Sequence, residues 1–245
     1  MDFTNSYADV KRAEEYARLE FANTYYLAYR DLPGLIAGHV RGRRALDFGC
    51  GTGRSTRFVR QLGFDVAGVD IAPEMIAHAR RVDPGGDYRL MSNGDFSGLE
   101  PRSYDLVVSL FTFDNIPGAE HKVNLFRSLG SLLNHAGKLI SVVSSPEIYV
   151  NEWASFSTED FPQNKLARSG DLVKIITTEF EDRRPTEDIL WTDEFYRQVY
   201  AESGLKVIEM HQPLARGDEP YRWVSETRIA PWTIYVLERS ENAGA

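Results

Sequence analysis

Hydrophobic positions in this chain form short apolar runs separated by segments of helical periodicity. Seven runs have the length and composition of strands: Ala45–Phe48, Asp65–Ile71, Tyr88–Met91, Tyr104–Phe111, Lys138–Ser144, Lys206–His211 and Thr233–Arg239. Four segments between them repeat apolar residues at helical spacing: Ser55–Leu62, Pro73–Arg81, Ala119–Asn134 and Asp193–Ser203. Strands that alternate with helices predict an α/β domain with a mostly parallel sheet.

The beginning of the chain departs from this alternation. Residues 1–40 show helical spacing of apolar and aromatic positions from about Asn5 onward. The sequence Leu32-Pro33-Gly34 predicts a break, after which residues 35–40 lead into the first strand. We expect residues 1–40 to form a helical cap on a single domain that spans residues 1–245.

A second departure lies after the fifth predicted strand. Residues 146–190 replace the short helix that the alternation would place there. They contain two β-like runs, Leu172–Thr178 and Asp188–Trp191, on either side of a charged turn. We interpret residues 146–190 as an inserted lid over the substrate.

Composition narrows the class of protein and of partner. The chain has 245 residues, of which 42% are hydrophobic and 26% charged, which suits a globular domain with a sizeable core. Its net charge of −8 disfavours a nucleic-acid partner. Cys50 is the single cysteine, which excludes an intrachain disulfide and fits a reducing compartment. No apolar run has the length of a membrane span or a signal peptide. We therefore expect a cytoplasmic protein without a membrane partner.

Residues 44–55 read as a strand, a glycine turn and the start of a helix. The glycines at positions 49, 51 and 53 let the backbone turn sharply and let a ligand approach without meeting a Cβ atom. The helix that follows points its first N–H groups at such a ligand. Asp47 at the strand end would repel a pyrophosphate, but it suits an ammonium or sulfonium group. The pattern therefore indicates S-adenosylmethionine as cofactor.

The run Asp47-Phe48-Gly49-Cys50-Gly51-Thr52-Gly53 resembles the first motif of the class I S-adenosylmethionine-dependent methyltransferases. The resemblance continues to about Ser144 and resumes near Asp193. It implies a doubly wound, Rossmann-like sheet of seven mostly parallel strands in the order 3-2-1-4-5-7-6. Many DNA and glutamine methyltransferases carry Asn/Asp-Pro-Pro-Tyr/Phe after the fourth strand, whereas this chain has Thr112-Phe113-Asp114-Asn115-Ile116. This departure favours a small-molecule acceptor.

The second strand and the segments after it supply further cofactor candidates. Asp70 ends that strand 17 residues after Gly53, a place from which an acid accepts both ribose hydroxyls. By the resemblance, Ile71 lies against the adenine, Met75 opens the next helix, Asp95 accepts from the adenine amino group and Phe96 flanks the ring. The complete expected cofactor set is Asp47, Gly49, Gly51, Gly53, Asp70, Ile71, Met75, Asp95, Phe96 and Phe111.

The expected topology brings three aromatic-rich segments to one edge of the sheet. The connection 212–232 runs from a parallel sixth strand to an antiparallel seventh strand, so it must cover the carboxyl edge, where ligands bind. The insertion leaves from the same edge, and the N-terminal helix of the family often covers it. We therefore expect these three segments to form a closed pocket for a small organic molecule. Candidate lid residues are Tyr25, Phe113, Trp153, Arg222 and Trp223, with Tyr26 as a further pocket candidate.

A sulfonium methyl donor needs alignment and a dry site more than it needs catalytic side chains. Phe111, Phe113, Tyr149 and Trp153 are candidates for aromatic faces that stabilise the sulfonium charge. Tyr7 is a pocket candidate through the resemblance, and Asn115 or Asp114 would hold an amine or hydroxyl acceptor. His211, at the end of the sixth strand, is the candidate general base. The five histidines show no metal-ligand spacing, so no metal is expected.

These observations predict an S-adenosylmethionine-dependent methyltransferase that acts at N, O or C of a small molecule, in specialised metabolism. Some relatives of this fold use S-adenosylmethionine itself as the substrate and cyclise it to azetidine-2-carboxylate, with release of methylthioadenosine. The aromatic lid and the lack of an obvious base are compatible with that alternative. A third alternative is a non-catalytic module that binds S-adenosylmethionine. The acceptor and the oligomeric state are not predicted by the sequence.

Overall fold

The computed structural model describes residues 21–240 of the chain. Within them, the α-helices are α1 (Thr24–Arg30), α2 (Leu32–His39), α3 (Arg54–Gln61), α4 (Pro73–Val82), α5 (Ala119–Leu132) and α6 (Asp193–Glu202). The strands are β1 (Arg44–Phe48), β2 (Asp65–Asp70), β3 (Asp87–Leu90), β4 (Tyr104–Leu110), β5 (Leu133–Ser144), β6 (Phe156–Ser157), β7 (Leu172–Thr177), β8 (Thr186–Ile189), β9 (Leu205–His211) and β10 (Trp232–Arg239).

The larger sheet has seven strands in the order β3-β2-β1-β4-β5-β10-β9. The first five strands pair in parallel, whereas β10 is antiparallel to both of its neighbours. Since β9 and β10 are its sixth and seventh strands in chain order, the predicted order 3-2-1-4-5-7-6 is confirmed. Phe48 pairs with Val69, and Asp47 pairs with Val108. This register brings the glycine turn, Asp70 and Phe111 together at one edge.

Alternating side chains of the buried strands fill two apolar layers, one on each face of the sheet. On β4, Leu106 and Val108 pack in the layer that contains Leu27 of α1 and Ile36 of α2. Val107 packs in the opposite layer, which includes residues of α5 and α6. Helices therefore cover both faces, as expected of a doubly wound sheet.

The insertion after β5 forms a second sheet in the order β6-β7-β8, with antiparallel pairing. The first predicted run is present as β7. The second begins at Thr186 rather than Asp188 and ends before Trp191, whose ring stacks on Phe195 of α6 at 3.9 Å between centroids. Two-residue β6 carries too short a pattern to be predicted.

The predicted break at residues 32–34 is wrong. α2 covers this segment, with Pro33 in its first turn, where a missing N–H removes no helical hydrogen bond. The chain bends at Asp31 instead, between α1 and α2. Tyr7 and the rest of residues 1–20 lie outside the described residues, so the N-terminal cap before residue 21 stays a prediction. A search of residues 21–240 finds no helix with the length and apolarity of a membrane span.

Candidate functional site

The turn between β1 and α3 depends on glycine for both conformation and space. Gly49 and Gly51 have φ angles of 73° and 52°, a region that is strained for residues with a Cβ atom. A Cβ atom at Gly49 would collide with the side chain of Thr112, whereas one at Gly51 would meet no atom within 4 Å. Gly51 therefore presents bare backbone to the space beside the sheet edge.

Asp47 lies beneath this turn, fully buried, and is not part of the cavity wall described below. Its Oδ2 accepts hydrogen bonds from the hydroxyls of Ser55 at 2.5 Å and Thr56 at 2.6 Å. Its Oδ1 is buried without a hydrogen-bond partner among the described residues. Burial raises the pKa of Asp47 to about 6, against the opposing effect of the two hydroxyls. The structure thus gives Asp47 the role of holding α3 to β1.

Asp70 stands on the opposite side of the turn, in the cavity wall. Its Oδ2 accepts the N–H of Gly51 at 2.8 Å, and its Oδ1 accepts the N–H of Ala72 at 2.9 Å. Burial raises its pKa, and these two backbone donors oppose that shift. Each carboxylate oxygen has two lone pairs. Asp70 can therefore hold the turn and accept further donors from a ligand.

The glycine turn and Asp70 border a cavity of about 290 Å³. Ile71 and Met75 continue this wall, and Phe111 and Asn115 close it from the end of β4. The volume is close to the lower end of small-molecule sites, which span roughly 300–1,000 Å³. Most predicted cofactor residues thus surround one space.

Besides Asp47, three predicted cofactor residues lie outside the cavity wall. Gly53 is buried against Tyr88 rather than in the cavity wall. Asp95 is exposed and accepts the N–H of Ser97 at 2.9 Å, while Phe96 stacks on Phe48 at 5.8 Å. Asn93, two residues before Asp95, lines the cavity at this point. The turn 92–95 directs Asp95 to its own backbone, which is the usual preference of Asp in turns.

Phe111 occupies the boundary between this cavity and a second, smaller one. It is a non-glycine residue with a φ angle of 62°, a strained conformation that often marks a functional site. Its ring lies 5.6 Å from that of Tyr25 and 4.7 Å from that of Trp232, measured between centroids. Tyr25, Tyr149 and Asn115 join it in lining the smaller cavity.

Asp114, the alternative to Asn115, also lines the smaller cavity, whereas the other predicted lid and catalytic residues among the described residues lie outside both cavities. Phe113 stacks on Phe126 at 3.8 Å in the core, and Trp153 donates its indole N–H to the Ile148 carbonyl at 2.9 Å. Arg222 is exposed, and the Trp223 indole lies 3.3 Å from Glu219. His211 Nε2 is 2.8 Å from Asp31 Oδ2, on the α1–α2 bend. The geometry does not bring His211 to the larger cavity, because its ring turns to that carboxylate.

Sequence reasoning missed Arg54, at the start of α3. Its side chain lines the larger cavity and is 6% exposed. The guanidinium lies 4.8 Å from the centre of the Tyr25 ring, 5.5 Å from Tyr29 and 6.0 Å from Phe111. An arginine three residues after Gly51 reads in sequence as an exposed helix residue, so no pattern identified it.

Sequence reasoning also missed Glu226, a fully buried carboxylate in the connection 212–232. Its Oε1 accepts the Thr24 hydroxyl at 2.7 Å and the Ala154 N–H at 2.8 Å. Its Oε2 accepts the N–H groups of Val224 at 2.8 Å and Ser225 at 3.1 Å. One side chain thus joins α1, the insertion and the 212–232 connection.

The sequence of this chain matches one protein family and is similar to named proteins from other organisms. Residues 19–209 match the family described as "Methyltransferase domain". The chain is 34% identical over 104 residues to a protein named ubiquinone biosynthesis O-methyltransferase from Xanthomonas euvesicatoria, covering 41% of this chain and 42% of that protein. A protein of the same name from Xanthomonas oryzae is 31% identical over 104 residues, with coverages of 41% and 42%. The chain spans about two fifths of the length of these curated relatives.

Solved structures share the fold over most of the chain. An S-adenosylmethionine-dependent methyltransferase from Clostridium acetobutylicum superposes with a TM-score of 0.60 and 13% identity, covering 92% of this chain and 94% of its own. The CcbJ methyltransferase from Streptomyces caelestis gives a TM-score of 0.60 and 18% identity, with coverages of 86% and 89%. At these identities the likeness concerns the fold.

Proposed function

Because this chain belongs to the methyltransferase-domain family, we propose that it transfers a methyl group from S-adenosylmethionine to a small organic acceptor. The observation that supports this most directly is the cavity bordered by the glycine turn, Asp70 and Phe111. It joins the three strand ends at which a doubly wound sheet binds its ligand.

The cavity wall fits the chemical parts of S-adenosylmethionine. Asp70 would accept the ribose hydroxyls, Ile71 and Met75 would contact the adenine, and Asn93 offers an amide to the base edge. Gly51 leaves open space in which the amino-acid end would lie, and Arg54, which lines the same cavity, would face its carboxylate. When bound, S-adenosylmethionine would supply a methyl carbon activated by its sulfonium centre.

The residues of the chain orient the reactants and exclude water. Phe111 and Tyr29 present aromatic side chains to the larger cavity, where their rings stabilise a positive charge. Asn115 belongs to both cavities and is held by a hydrogen bond of 3.3 Å from its Nδ2 to the Phe111 carbonyl. Its amide is therefore positioned to orient an acceptor at N, O or C.

The test of the cofactor site is substitution of Asp70. Asp70→Ala removes the acceptor of the ribose hydroxyls, each of which contributes about 1.5–3 kcal/mol when bonded to a charged group. We expect S-adenosylmethionine affinity to fall by roughly tenfold or more in calorimetric titration. Asp65→Ala, at the exposed start of the same strand, is the matched control. Unchanged affinity in Asp70→Ala would reject the assignment.

A second measurement separates methyl transfer from cyclisation of the cofactor. The protein is incubated with S-adenosylmethionine, with and without extracts that contain small-molecule acceptors, and the nucleoside products are identified by mass spectrometry. Methyl transfer predicts S-adenosylhomocysteine that forms only with an acceptor. Methylthioadenosine from S-adenosylmethionine alone would replace the proposal by the cyclase alternative. We place the reaction in the cytoplasm, a compartment that suits the single Cys50.

A further inference from the structure

The larger cavity crosses the carboxyl edge of the main sheet, from one apolar layer to the other. At one end, Tyr29 and Phe111 line the cavity and pack in the layer that contains α1 and α2. At the other end, Met91, Ile116 and Leu125 line it and pack in the opposite layer, with residues of α5 and α6. The cavity therefore offers different surroundings to the two ends of an elongated ligand.

The end lined by Met91, Ile116 and Leu125, called the base end from here on, is where the adenine of S-adenosylmethionine would lie. The proposed function puts the amino-acid part beside Gly51 and the ribose at Asp70. The adenine is attached to the opposite side of the ribose from the amino-acid part, so it extends away from Gly51. Apolar walls suit the faces of a purine, but its polar edge still needs hydrogen-bond partners.

The base end also contains polar residues. Ser92 and Asn93 follow β3 and are exposed, whereas His121 is half-buried on α5. His121 lies four residues before Leu125 and therefore on the same face of the helix, toward the cavity. Its ring makes no hydrogen bond or ion pair with another residue of the described range, 21–240. Both ring nitrogens are therefore available to a ligand.

An imidazole is chemically suited to the amino group of adenine. A neutral imidazole has one ring nitrogen that donates a hydrogen bond and one that accepts. The adenine amino group donates, and the neighbouring ring nitrogens accept. The accepting nitrogen of His121 can therefore bind a hydrogen of the amino group. Because His121 is half-buried, water competes with this bond less than it does at the exposed Asn93.

We propose that His121 determines the choice of base in the cofactor, by accepting a hydrogen bond from the adenine amino group. This inference rests on the proposed function, because it requires the ribose at Asp70. A cofactor analogue that carries hydrogen in place of the amino group loses this bond and binds less tightly.

The test compares S-adenosylhomocysteine with its 6-desamino analogue, in which purine replaces adenine. Both ligands are titrated calorimetrically into the full chain, in a buffer whose pH lies above the ordinary range of imidazole titration. The native chain is expected to bind S-adenosylhomocysteine roughly threefold to tenfold more tightly than the analogue, which is the range of one net hydrogen bond. Equal affinities for the two ligands would overturn the proposal.

A substitution then assigns the preference to a residue. His121→Ala is expected to lower the affinity for S-adenosylhomocysteine to that for the analogue. Its affinity for the analogue should equal that of the native chain, which also shows that the variant folds. His135→Ala is the matched control, because His135 is exposed on β5, and it should keep the preference. An undiminished preference in His121→Ala, or an equal loss of affinity for both ligands, would refute the role of His121.

The titration of the native chain separates this proposal from the proposed function. Absence of S-adenosylhomocysteine binding would reject the proposed function and, with it, the role of His121. Binding of S-adenosylhomocysteine without a preference that depends on His121 would reject the role of His121 alone. A preference that disappears in Asn93→Ala but survives in His121→Ala would assign the amino group to Asn93 and overturn the proposal.

Discussion

Replacement of Glu226 tests how α1, the insertion and the 212–232 connection are held together. Its carboxylate accepts four hydrogen bonds from three separate segments: the Thr24 hydroxyl and the N–H groups of Ala154, Val224 and Ser225. Glu226→Gln keeps the shape of the side chain but turns one acceptor oxygen into an NH₂ donor. Whichever way the amide is oriented, two of the four donors then lose their acceptor.

The size of the effect follows from those two donors. A buried donor left without a partner costs about 1–3 kcal/mol, and removal of a buried charge returns part of that free energy. We therefore expect the free energy of unfolding to fall by about 2–4 kcal/mol in Glu226→Gln. For a chain of this length, roughly 2–4 °C of Tm accompany each kcal/mol, so Tm falls by roughly 4–16 °C.

Differential scanning calorimetry measures this change, and hydrogen exchange locates it. The amides of Ala154, Val224 and Ser225 should lose protection together, while that of Gly49, bonded to the Val69 carbonyl at 2.9 Å, should keep it. Glu159→Gln is the matched control, since Glu159 is an exposed glutamate on the insertion that Glu226 contacts and surface changes stay within about 0.5 kcal/mol. A Tm change in Glu226→Gln no larger than that of the control would refute the reasoning.

Three further substitutions test the glycine turn, a glycine of α2 and the buried Asp47. Gly49→Ala places a Cβ against Thr112 at a φ of 73° and should abolish cofactor binding by calorimetry. Gly34→Ala, inside α2 with no atom within 4 Å of the added Cβ, should instead stabilise the protein by about 0.5–1 kcal/mol. A similar loss of cofactor binding in both variants would contradict the role of Gly49. The folded-state pKa of Asp47, about 6 against a usual 3.8, means that the native chain binds more protons than the unfolded chain between these pH values. Native stability should thus fall by about 3 kcal/mol as pH rises from about 4 to about 6. Urea denaturation of Asp47→Asn should lack this component, and an unchanged pH profile in that variant would refute it.

The strand–helix alternation was sufficient to predict the large sheet, because its central parallel strands, β1, β2, β4 and β5, are mostly buried and read as apolar runs. The glycine turn and Asp70 were also predictable, since their spacing is fixed by local backbone geometry. Pro33 misled the prediction of α2, because a proline signals both a break and a helix start. The choice between the two depends on packing of α2 against the sheet, which no local pattern records.

The polar contacts between distant segments could not be predicted from the sequence. Asp47 and Asp70 both end strands and are both acidic, yet only Asp70 enters the cavity wall; Asp47 is turned to Ser55 and Thr56. His211 reaches the predicted edge, but Asp31 lies beside it. Glu226 bonds Thr24 across 202 positions of sequence. Contacts of this kind depend on how loops fold back, and neither periodicity nor motif spacing reports them.

We propose that the adenosyl group of S-adenosylmethionine binds between the glycine turn and Asp70. A crystal structure of the chain with S-adenosylhomocysteine tests it most directly. We expect ligand density along Gly49–Gly51, with the ribose hydroxyls within hydrogen-bond distance of the Asp70 carboxylate. Density at another place, or an Asp70 carboxylate that faces away from a bound ribose, would contradict it.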